Sequence, residues 1–497
     1  MRDACPVLRT GLRAATGIQH TGKDDVKGGG DDVITFDYNY FMADAIGNDH
    51  GITERDLLGM KDKASAALSR MERERKAGML GFLEIPFDDD IVRRIAAFRE
   101  SVAGKFTTVA LIGIGGSALG PQAIKNALAH LYHNELSDER RGGACRLYFF
   151  DNVDPYEINA LADIIDVTKT LFLVISKSGG TTETNANFAI LFDMLKKKVG
   201  GDYVRHIVAI TDPESGVLRK IADMEKFASF PVPPNVGGRF SVLTAVGLVA
   251  SAFLGIDIAM LLKGARGVMD TYYGVELLRN APLLAAACHY LFDTEKDKRI
   301  NVLMPYTRKL FLFADWYRQL WAESLGKSRD IDGKPAVRGL TPVPALGTID
   351  QHSQLQLYLE GPNDKVITFL KLDSFDTDIT IPEFYTGIPE MEYLSGTSLR
   401  ELNRFEESAT ELALKDASRP NASLTLPRLD AESVGALIMF MEMQTAYAGY
   451  LYNINPYDQP AVEQGKKFTF GLLNRPGYES FREQFERGYT KTDKYVI

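Results

Sequence analysis

The sequence has little cysteine, no basic tract and no long apolar run free of polar residues. Its 497 residues include only three cysteines, Cys5, Cys145 and Cys288, which lie far apart. This spacing excludes a disulfide framework and a clustered thiolate metal site, and it favours a reducing compartment. We therefore expect a cytoplasmic protein. The formal net charge of −9 argues against general nucleic-acid binding.

Membrane-spanning and targeting segments are also not expected. The uncharged stretch 240–256 approaches the length of a membrane span, but Ser241, Thr244 and Ser251 dilute its hydrophobicity. A buried core helix is the better interpretation. Residues 1–32 contain arginines but no apolar signal core, so they are expected to form a flexible extension, with a basic transit segment as the alternative.

From about residue 105 onward, short apolar runs alternate with helical patterns. Near-continuous apolar strands are typical of parallel sheets covered by helices on both faces. The predicted strands are 107–114, 146–150, 170–175, 206–210, 300–305, 343–345 and 366–372. The predicted intervening helices include 119–130, 184–198 and 309–325. This βαβ rhythm predicts an α/β fold with doubly wound halves and mostly parallel sheets.

The chain is expected to divide near residue 290. We assign residues 1–32 to the extension, 33–290 to a first subdomain with an N-terminal helical region, and 291–497 to a second subdomain with a C-terminal helical region. The charge-rich segment 293–299 lies at this boundary, although no Pro/Gly-rich linker marks it. No sequence repeat is detectable, so the two halves share only a similar architecture.

The strand predicted to end at Ile112 runs into a Gly-Ile-Gly-Gly-Ser-Ala turn at 113–118. Glycines allow close backbone approach and the following helix offers free amides, so the turn suits a phosphate. It fits the G-x-G-x-x-A dinucleotide fingerprint as well. Against a dinucleotide, the next strand-terminal acid, Asp151, lies more than 30 residues beyond Ala118, where roughly 20 are expected. This segment alone leaves both interpretations open.

A second polar loop, Ser-Lys-Ser-Gly-Gly-Thr-Thr-Glu-Thr at 176–184, follows the strand 170–175. It offers five hydroxyls and a lysine at the carboxyl end of a strand, where open α/β sheets bind ligands. The alternative is a Ser/Thr-rich helix cap. We favour a phosphate site, because the loop has many donors for phosphate oxygens and little use for an adenine ring.

Isolated charged residues supply further candidates, each with a structural alternative. Arg239 follows two glycines and either forms an ion pair at a helix start or stabilises negative charge on a reacting oxygen. Glu323 and Lys327 are four apart on a predicted helix, so a surface ion pair is the alternative for both. His352 could be a core histidine, and Lys466 adjoins another lysine as on a solvated helix face.

The pair His130 and His133 has a spacing found among metal ligands. No nearby cysteine or paired acid completes such a site, so we interpret the pair as structural and predict no metal.

Six separated blocks resemble the phosphoglucose isomerase family, a branch of the sugar-isomerase domain proteins. They are 113–117 with 119–121, 176–178 with Thr181, 237–241, 319–327, 347–354 and 459–466. The blocks span about residues 110 to 470 in family order, whereas the dinucleotide match rests on one turn. The family interpretation therefore displaces it. The first 100 residues carry no matched motif.

The resemblance implies two αβα subdomains of sugar-isomerase type and interconversion of glucose 6-phosphate and fructose 6-phosphate, as in glycolysis and gluconeogenesis. It implies no cofactor. It also implies a homodimer in which each subunit lends a histidine to its neighbour. No membrane or nucleic-acid partner is expected.

The resemblance also assigns roles to single residues. The residues that match phosphate-contacting positions are Gly116, Ser117, Ser176, Lys177, Ser178, Thr181 and, as a further contact, Gln459. Glu323 matches the base that moves a proton between C1 and C2, and Arg239 matches the residue beside the enediolate. His352 and Lys466 match groups assigned to ring opening.

General chemistry agrees with these roles. Sugar phosphates are mostly cyclic, so one group must protonate the ring oxygen before a base can remove the proton alpha to the carbonyl; histidine suits the first task and a carboxylate the second. Two rival hypotheses are a sugar-phosphate sensor without turnover and a nicotinamide-dependent dehydrogenase that uses the turn 113–118.

Overall fold

The computed structural model describes residues 34–497, and the expected extension at residues 1–32 lies outside them. The described strands are β1 Thr35–Asp37, β2 Thr108–Ile112, β3 Arg146–Phe150, β4 Thr170–Ile175, β5 Ile207–Thr211, β6 Ala228–Pro231, β7 Ile300–Pro305, β8 Lys327–Arg329, β9 Pro335–Arg338, β10 Thr341–Pro344, β11 Lys365–Leu372 and β12 Asn421–Leu426. All except β8 and β9 belong to two five-stranded sheets.

Helices surround both sheets. In chain order they are α1 Ala43–Ile46, α2 Glu54–Gly59, α3 Lys61–Lys76, α4 Asp89–Ser101, α5 Leu119–Leu128, α6 Pro155–Ile164, α7 Thr182–Val199, α8 Val217–Glu225, α9 Ala245–Phe253, α10 Ile258–Tyr272, α11 Ala281–Glu295, α12 Phe311–Leu325, α13 Leu355–Glu360, α14 Pro389–Glu392, α15 Leu399–Asp416, α16 Ala431–Leu451, α17 Glu463–Leu472 and α18 Glu479–Gly488. The predicted α/β fold with mostly parallel sheets is confirmed.

The two sheets share one topology. The first has the order β3-β2-β4-β5-β6 and is entirely parallel. The second has the order β1-β12-β11-β7-β10, in which the last four strands are parallel. In both, the second parallel strand along the chain lies on one side of the first and the third lies on the other. Each sheet therefore reverses its winding next to its first parallel strand, as doubly wound folds do.

Strand β1 lies where the sequence did not predict it. We assigned residue 33 onward to the first subdomain, but β1 pairs antiparallel with β12, with Thr35 opposite Thr425. Three residues give too short a pattern to reveal a partner almost 400 residues away. The division at residue 290 stays a prediction. Two further strands of the five-stranded sheets, β6 and β12, were also missed.

The middle of the chain packs around α16. All but two residues of this helix are buried. Helix α10 crosses it at a point where a glycine of each helix packs against the backbone of the other. A methyl group on Gly264 would lie 1.8 Å from the carbonyl oxygen of Glu432, and one on Gly435 would lie 1.9 Å from that of Leu261. The crossing therefore needs glycine on both helices.

The stretch 240–256 contains the buried helix α9, which is shorter than the stretch in which the sequence predicted a core helix. Thr244 caps it by accepting a hydrogen bond from the amide of Val246. Among residues 34–497, no helix is both long and apolar enough to cross a membrane.

Glu442 on α16 is a carboxyl group buried in the apolar core. Its Oε1 has no hydrogen-bond partner among the described residues, and burial raises its pKa well above the usual value. The carboxyl therefore keeps its proton to a higher pH in the folded state than in the unfolded chain, where it ionises above pH about 4.3. Folding then becomes less favourable as pH rises from that value until the folded pKa is reached.

We expect Glu442→Gln to stabilise the protein at neutral pH. The gain should grow by up to about 1.4 kcal/mol per pH unit above the unfolded pKa, because only the wild type must take up a proton to fold. Urea unfolding at pH 5 and pH 8 measures it. Glu72→Gln is the control. Lys76 lowers the pKa of this exposed carboxyl, so its ionisation favours folding as pH rises, which is opposite to the effect of Glu442. Equal stability of Glu442→Gln and wild type at pH 8 would contradict the expectation.

Candidate active site

Two loops meet at the reversal point of the first sheet. The loop 113–117 follows β2 and the loop 176–181 follows β4, which is the strand next to β2. Both loops leave the carboxyl ends of parallel strands, and open α/β sheets bind ligands in the crevice at this point. The two predicted phosphate loops are therefore neighbours in the fold.

The glycine turn is packed against the catalytic candidates. A methyl group on Gly116 would lie 2.4 Å from the carbonyl oxygen of Gly238, and one on Gly115 would lie 2.9 Å from Gln319 Nε2. Gly115 also has a φ of +58°, which favours glycine. The turn therefore forms a wall that contacts both the Arg239 loop and α12.

The second loop is organised by its own hydroxyls. Ser176 Oγ accepts a hydrogen bond from the amide of Gly179 at 3.1 Å and lies 3.3 Å from Thr181 Oγ1. Ser178 Oγ accepts one from the amide of Gly180 at 3.3 Å. Thr181 immediately precedes α7, so the free amides of the first turn of that helix face the same loop. The arrangement suits an anion.

Lys177 does not extend free into this loop. Its Nζ donates to the carbonyl oxygens of Pro234 at 2.6 Å and Val236 at 2.8 Å, and burial lowers its pKa. The side chain thus ties the loop 176–181 to the segment that leads into Arg239. Its charge stays close to the loop, but two of its three donors already have protein acceptors.

Arg239 is the most completely bonded side chain of the site. Nε donates to Ser324 Oγ at 2.7 Å, and Nη1 donates to Gln459 Oε1 at 2.7 Å and to Glu323 Oε2 at 3.3 Å. Nη2 donates to the carbonyl oxygens of Pro456 at 2.5 Å and Asp458 at 3.0 Å. All five donors of the guanidinium therefore have acceptors.

Burial affects the Arg239 charge as well. It lowers the pKa of Arg239, while the nearby Glu323 and Asp458 oppose the shift. An arginine nevertheless stays protonated in proteins. The side chain is 2 % exposed and that of Glu323 is 35 % exposed, so a fixed buried cation lies beside a carboxylate that solvent or a ligand can reach.

Glu323 is held by two donors and is not in a surface pair with Lys327. Gln319, one turn earlier on α12, donates to Glu323 Oε1 at 3.1 Å, and Arg239 contacts Oε2. Lys327 donates instead to the carbonyl oxygens of Glu323 at 2.7 Å and Asp458 at 2.6 Å. The structural alternative, an ion pair between the side chains of Glu323 and Lys327, is therefore wrong, because the Lys327 ammonium group donates to backbone carbonyl oxygens.

Gln459 joins this cluster, but two other predicted residues do not. His352 is exposed at the end of the turn Ile349–His352. Lys466 is exposed on α17, where its Nζ donates to Glu463 Oε1 at 2.7 Å. Among the described residues, neither side chain hydrogen-bonds to Glu323 or Arg239. Within one subunit the cluster consists of Arg239, Glu323, Gln319 and Gln459 with the two loops.

Sequence reasoning missed four contributors, namely Gln319, Ser324 and the carbonyl groups of Pro456 and Asp458. Gln319 could have been found, because a residue four before Glu323 lies on the same helix face. Its Oε1 is buried without a hydrogen-bond partner among the described residues. Ser324 and the carbonyl of Asp458 carry no sequence signal of their own, since their role is to accept from Arg239.

The dinucleotide alternative fits the geometry poorly. Asp151, the candidate for the ribose acid, accepts a hydrogen bond from Gln122 on α5.

The histidine pair is structural, as expected. His133 Nε2 lies 2.9 Å from the carbonyl oxygen of Cys145, and burial lowers the pKa of its ring. His130 Nδ1 accepts from the amide of Tyr132 at 3.1 Å. The two rings therefore take part in separate local hydrogen bonds.

Comparison with known proteins identifies the family of this chain. The model of the family described as phosphoglucose isomerase matches residues 91–488. The chain belongs to the phosphoglucose isomerase family. Among the similar family members, the glucose-6-phosphate isomerase of Carboxydothermus hydrogenoformans is 43% identical over 432 residues, which are 87% of this chain and 93% of the relative. That of Rubrobacter xylanophilus is 41% identical and covers 90% of this chain and 99% of the relative.

Solved structures extend the comparison to the fold of this phosphoglucose isomerase family member. A hypothetical protein from Thermus thermophilus superimposes with a TM-score of 0.79 at 36% identity, over 88% of this chain and 99% of that one. A glucose-6-phosphate isomerase from Chlamydia trachomatis has a TM-score of 0.75 at 23% identity, over 92% of each chain. The second comparison supports the fold alone.

Proposed function

We propose that this protein reversibly isomerises glucose 6-phosphate and fructose 6-phosphate without a cofactor, with Glu323 as the base. One observation carries the proposal: the Glu323 carboxylate lies between Gln319 and the buried Arg239, beside two loops suited to a phosphate. Family membership and the relatives named glucose-6-phosphate isomerase support the substrate.

The first step opens the sugar ring. The phosphate is held by Gly116 and Ser117 of the glycine turn and by the loop 176–181, with Gln459 as a further contact. His352 and Lys466 act on the ring oxygen and hydroxyl, which needs one acid and one base. The open chain then presents an aldehyde at C1 and an acidic proton at C2.

The second step is the proton transfer. Glu323 removes the C2 proton, the electron pair shifts to the carbonyl oxygen, and a cis-enediolate forms. Transfer of the O2 hydroxyl proton to O1, together with return of the carried proton from Glu323 to C1, gives the ketose. Because the five donors of Arg239 already bond protein acceptors, we assign its effect to its fixed charge, which stabilises the developing oxyanion without reorganisation.

We also propose a cytoplasmic homodimer with shared sites. Cys145 and Cys288 are free buried thiols, which supports a reducing compartment. His352 is exposed at the end of the turn Ile349–His352, and Ile349 at the start of that turn lines a cavity of about 390 Å³ together with Ile379 and Leu399. These three side chains are 48 to 63 % exposed, as expected of apolar residues that a second subunit covers.

Mixing two inactive variants tests the shared site. We expect Glu323→Gln and His352→Ala each to be nearly inactive as homodimers, and their co-refolded mixture to regain activity. A mixed dimer would contain one site with both native residues, so an equal random mixture should show about one quarter of wild-type activity. Each variant co-refolded with itself is the control. Absence of recovery in mixtures that size-exclusion and mass measurements show to be dimeric would contradict a shared site.

Proton NMR in D₂O tests the reaction itself. Purified protein is incubated with glucose 6-phosphate, without added metal or nucleotide, and both fructose 6-phosphate and deuterium at C2 are followed. Formation of fructose 6-phosphate with C2 exchange supports an enediolate. Formation of product without C2 exchange would indicate either a hydride shift or a proton transfer that is shielded from solvent. Tight fructose 6-phosphate binding with no conversion would favour the sensor.

A further inference from the structure

The turn 456–459 holds Arg239 and is itself anchored from outside the family-matched segment. Three acceptors of the guanidinium belong to it, namely the carbonyl oxygens of Pro456 and Asp458 and the side chain of Gln459. Tyr457 lies between them, and its hydroxyl is 2.8 Å from that of Tyr450. This contact holds the Tyr457 side chain of the turn in place.

The contact continues to helix α3. Tyr450 donates to Glu74 Oε2 at 2.6 Å, and Arg70 Nε donates to Glu74 Oε1 at 2.7 Å. A carboxylate beside an arginine only accepts, so Tyr450 must use its proton for Glu74 and accept one from Tyr457. Burial raises the pKa of both phenols far above the usual value. Both phenols therefore stay protonated, and the hydrogen bonds run in one direction, from Tyr457 to Tyr450 and from Tyr450 to Glu74.

The rings are packed as well as bonded. Tyr457 has its centroid 5.4 Å from that of Phe240, the neighbour of Arg239, and 6.1 Å from that of Phe82. The guanidinium of Arg70 lies 4.4 Å from the centroid of Tyr450. Loss of one hydroxyl would thus leave the aromatic cluster in place while releasing the turn.

The loop before Arg239 rests on the same part of the chain. Asn235 Nδ2 donates to the carbonyl oxygen of Gly78 at 2.9 Å, and the amide of Gly81 donates to the carbonyl oxygen of Asn235 at 3.2 Å. Residues 70–82 therefore support Arg239 from both sides, although the family match begins only at residue 91.

We propose that Glu74, Tyr450 and Tyr457 are positioning residues for Arg239, and that α3 is part of the active-site framework. The proposal rests on the proposed isomerase function. They act through the turn 456–459, which sets where the guanidinium charge lies relative to Glu323. A displacement of the charge would weaken stabilisation of the enediolate more than it weakens binding of the phosphate, because most of the proposed phosphate contacts lie on the loops of the first sheet and only Gln459 lies on this turn.

Tyr457→Phe and Tyr450→Phe test this by removing one oxygen each. We expect kcat to fall about tenfold while KM changes less than about twofold. Affinity for a hydroxamate analogue of the enediolate should fall by about the same tenfold factor, with inorganic phosphate affinity within about twofold of wild type. Tyr203→Phe is the matched control, because it removes a Tyr–Glu hydrogen bond of 2.6 Å to Glu225 outside the site.

A crystal structure of Tyr457→Phe gives a readout that needs no turnover. We expect the turn 456–459 to shift and the bond from Arg239 Nη2 to Pro456 to lengthen. An unchanged turn and unchanged affinity for the hydroxamate would overturn the proposal, as would a lower melting temperature with wild-type kinetics. If a phenylalanine variant does not fold, Glu74→Gln, which keeps an acceptor for Tyr450 but loses the ion pair, takes its place.

The two proposals fail differently. If the wild type does not isomerise glucose 6-phosphate, the proposed function is wrong, and the crystal structure alone decides the positioning role. If the wild type isomerises but Tyr457→Phe behaves as Tyr203→Phe does, only the positioning role is wrong.

Discussion

Glu323→Gln is expected to lower kcat for glucose 6-phosphate by about 10² to 10⁴-fold, the usual contribution of a positioned base. The amide keeps the size of the carboxylate and still accepts a hydrogen bond from Gln319, but it cannot take the C2 proton. KM should change little, because the phosphate contacts lie on the loops 113–117 and 176–181. Coupled-assay kinetics in both directions measure the effect.

The exchange of the C2 proton sharpens this prediction. The variant should lose deuterium incorporation from D₂O in parallel with turnover, since both depend on the same proton transfer. Glu72→Gln serves as the control, because it removes an exposed carboxylate that pairs with Lys76 on α3. A folded Glu323→Gln protein with near-normal turnover would exclude this residue as the base. It would also exclude the sensor hypothesis, because a sensor without chemistry has no turnover.

Much of the fold was readable from the sequence because buried parallel strands are nearly continuous apolar runs. Three strands, β3, β4 and β7, have the predicted bounds. Strand β1 was not readable, because its place depends on pairing with β12. Strand β12 itself was missed, since Asn421, Ser423 and Thr425 interrupt its apolar pattern although most of its side chains are buried.

The sequence predicted the loops of the site, but it predicted the surroundings of the charged residues only in part. Glycine turns and hydroxyl-rich loops are local signals, so the positions of Gly116 and Ser176 follow from strand ends. The surroundings of Arg239 are not local, because its acceptors come from α12 and from the turn 456–459. No spacing along the chain indicates that a serine after Glu323 or a carbonyl beyond residue 455 accepts from the same guanidinium.

The roles of His352 and Lys466 remain predictions from the resemblance. Both side chains are exposed in the single chain, and Lys466 pairs with Glu463. A site completed by another subunit would explain why His352 is exposed in the single chain, since a residue that acts in a neighbouring subunit must lie on the surface of its own subunit. The mixing experiment decides this point independently of the chemistry at Glu323.

Replacement of Arg239 by lysine should separate its charge from its geometry. Lysine keeps the positive charge but has three donors on one atom, so it cannot reach Ser324, Gln459 and the carbonyl oxygens of the turn together. We expect kcat to fall by about 10² to 10³-fold, as for loss of a preorganised group at a developing oxyanion. The free energy of unfolding should also fall by about 1 to 3 kcal/mol, because buried acceptors lose their donors.

Kinetics and urea unfolding of the same preparations measure both effects. Arg266→Lys is the matched control, since Arg266 bonds the carbonyl of Pro86 and the carboxylate of Asp89, outside the cluster. If charge alone mattered, Arg239→Lys would lose stability yet keep nearly full activity, and the assignment of Arg239 as a fixed, preorganised charge would be wrong. If activity falls as expected, the turn 456–459 and its anchor on α3 become part of the explanation, because they fix where that charge lies.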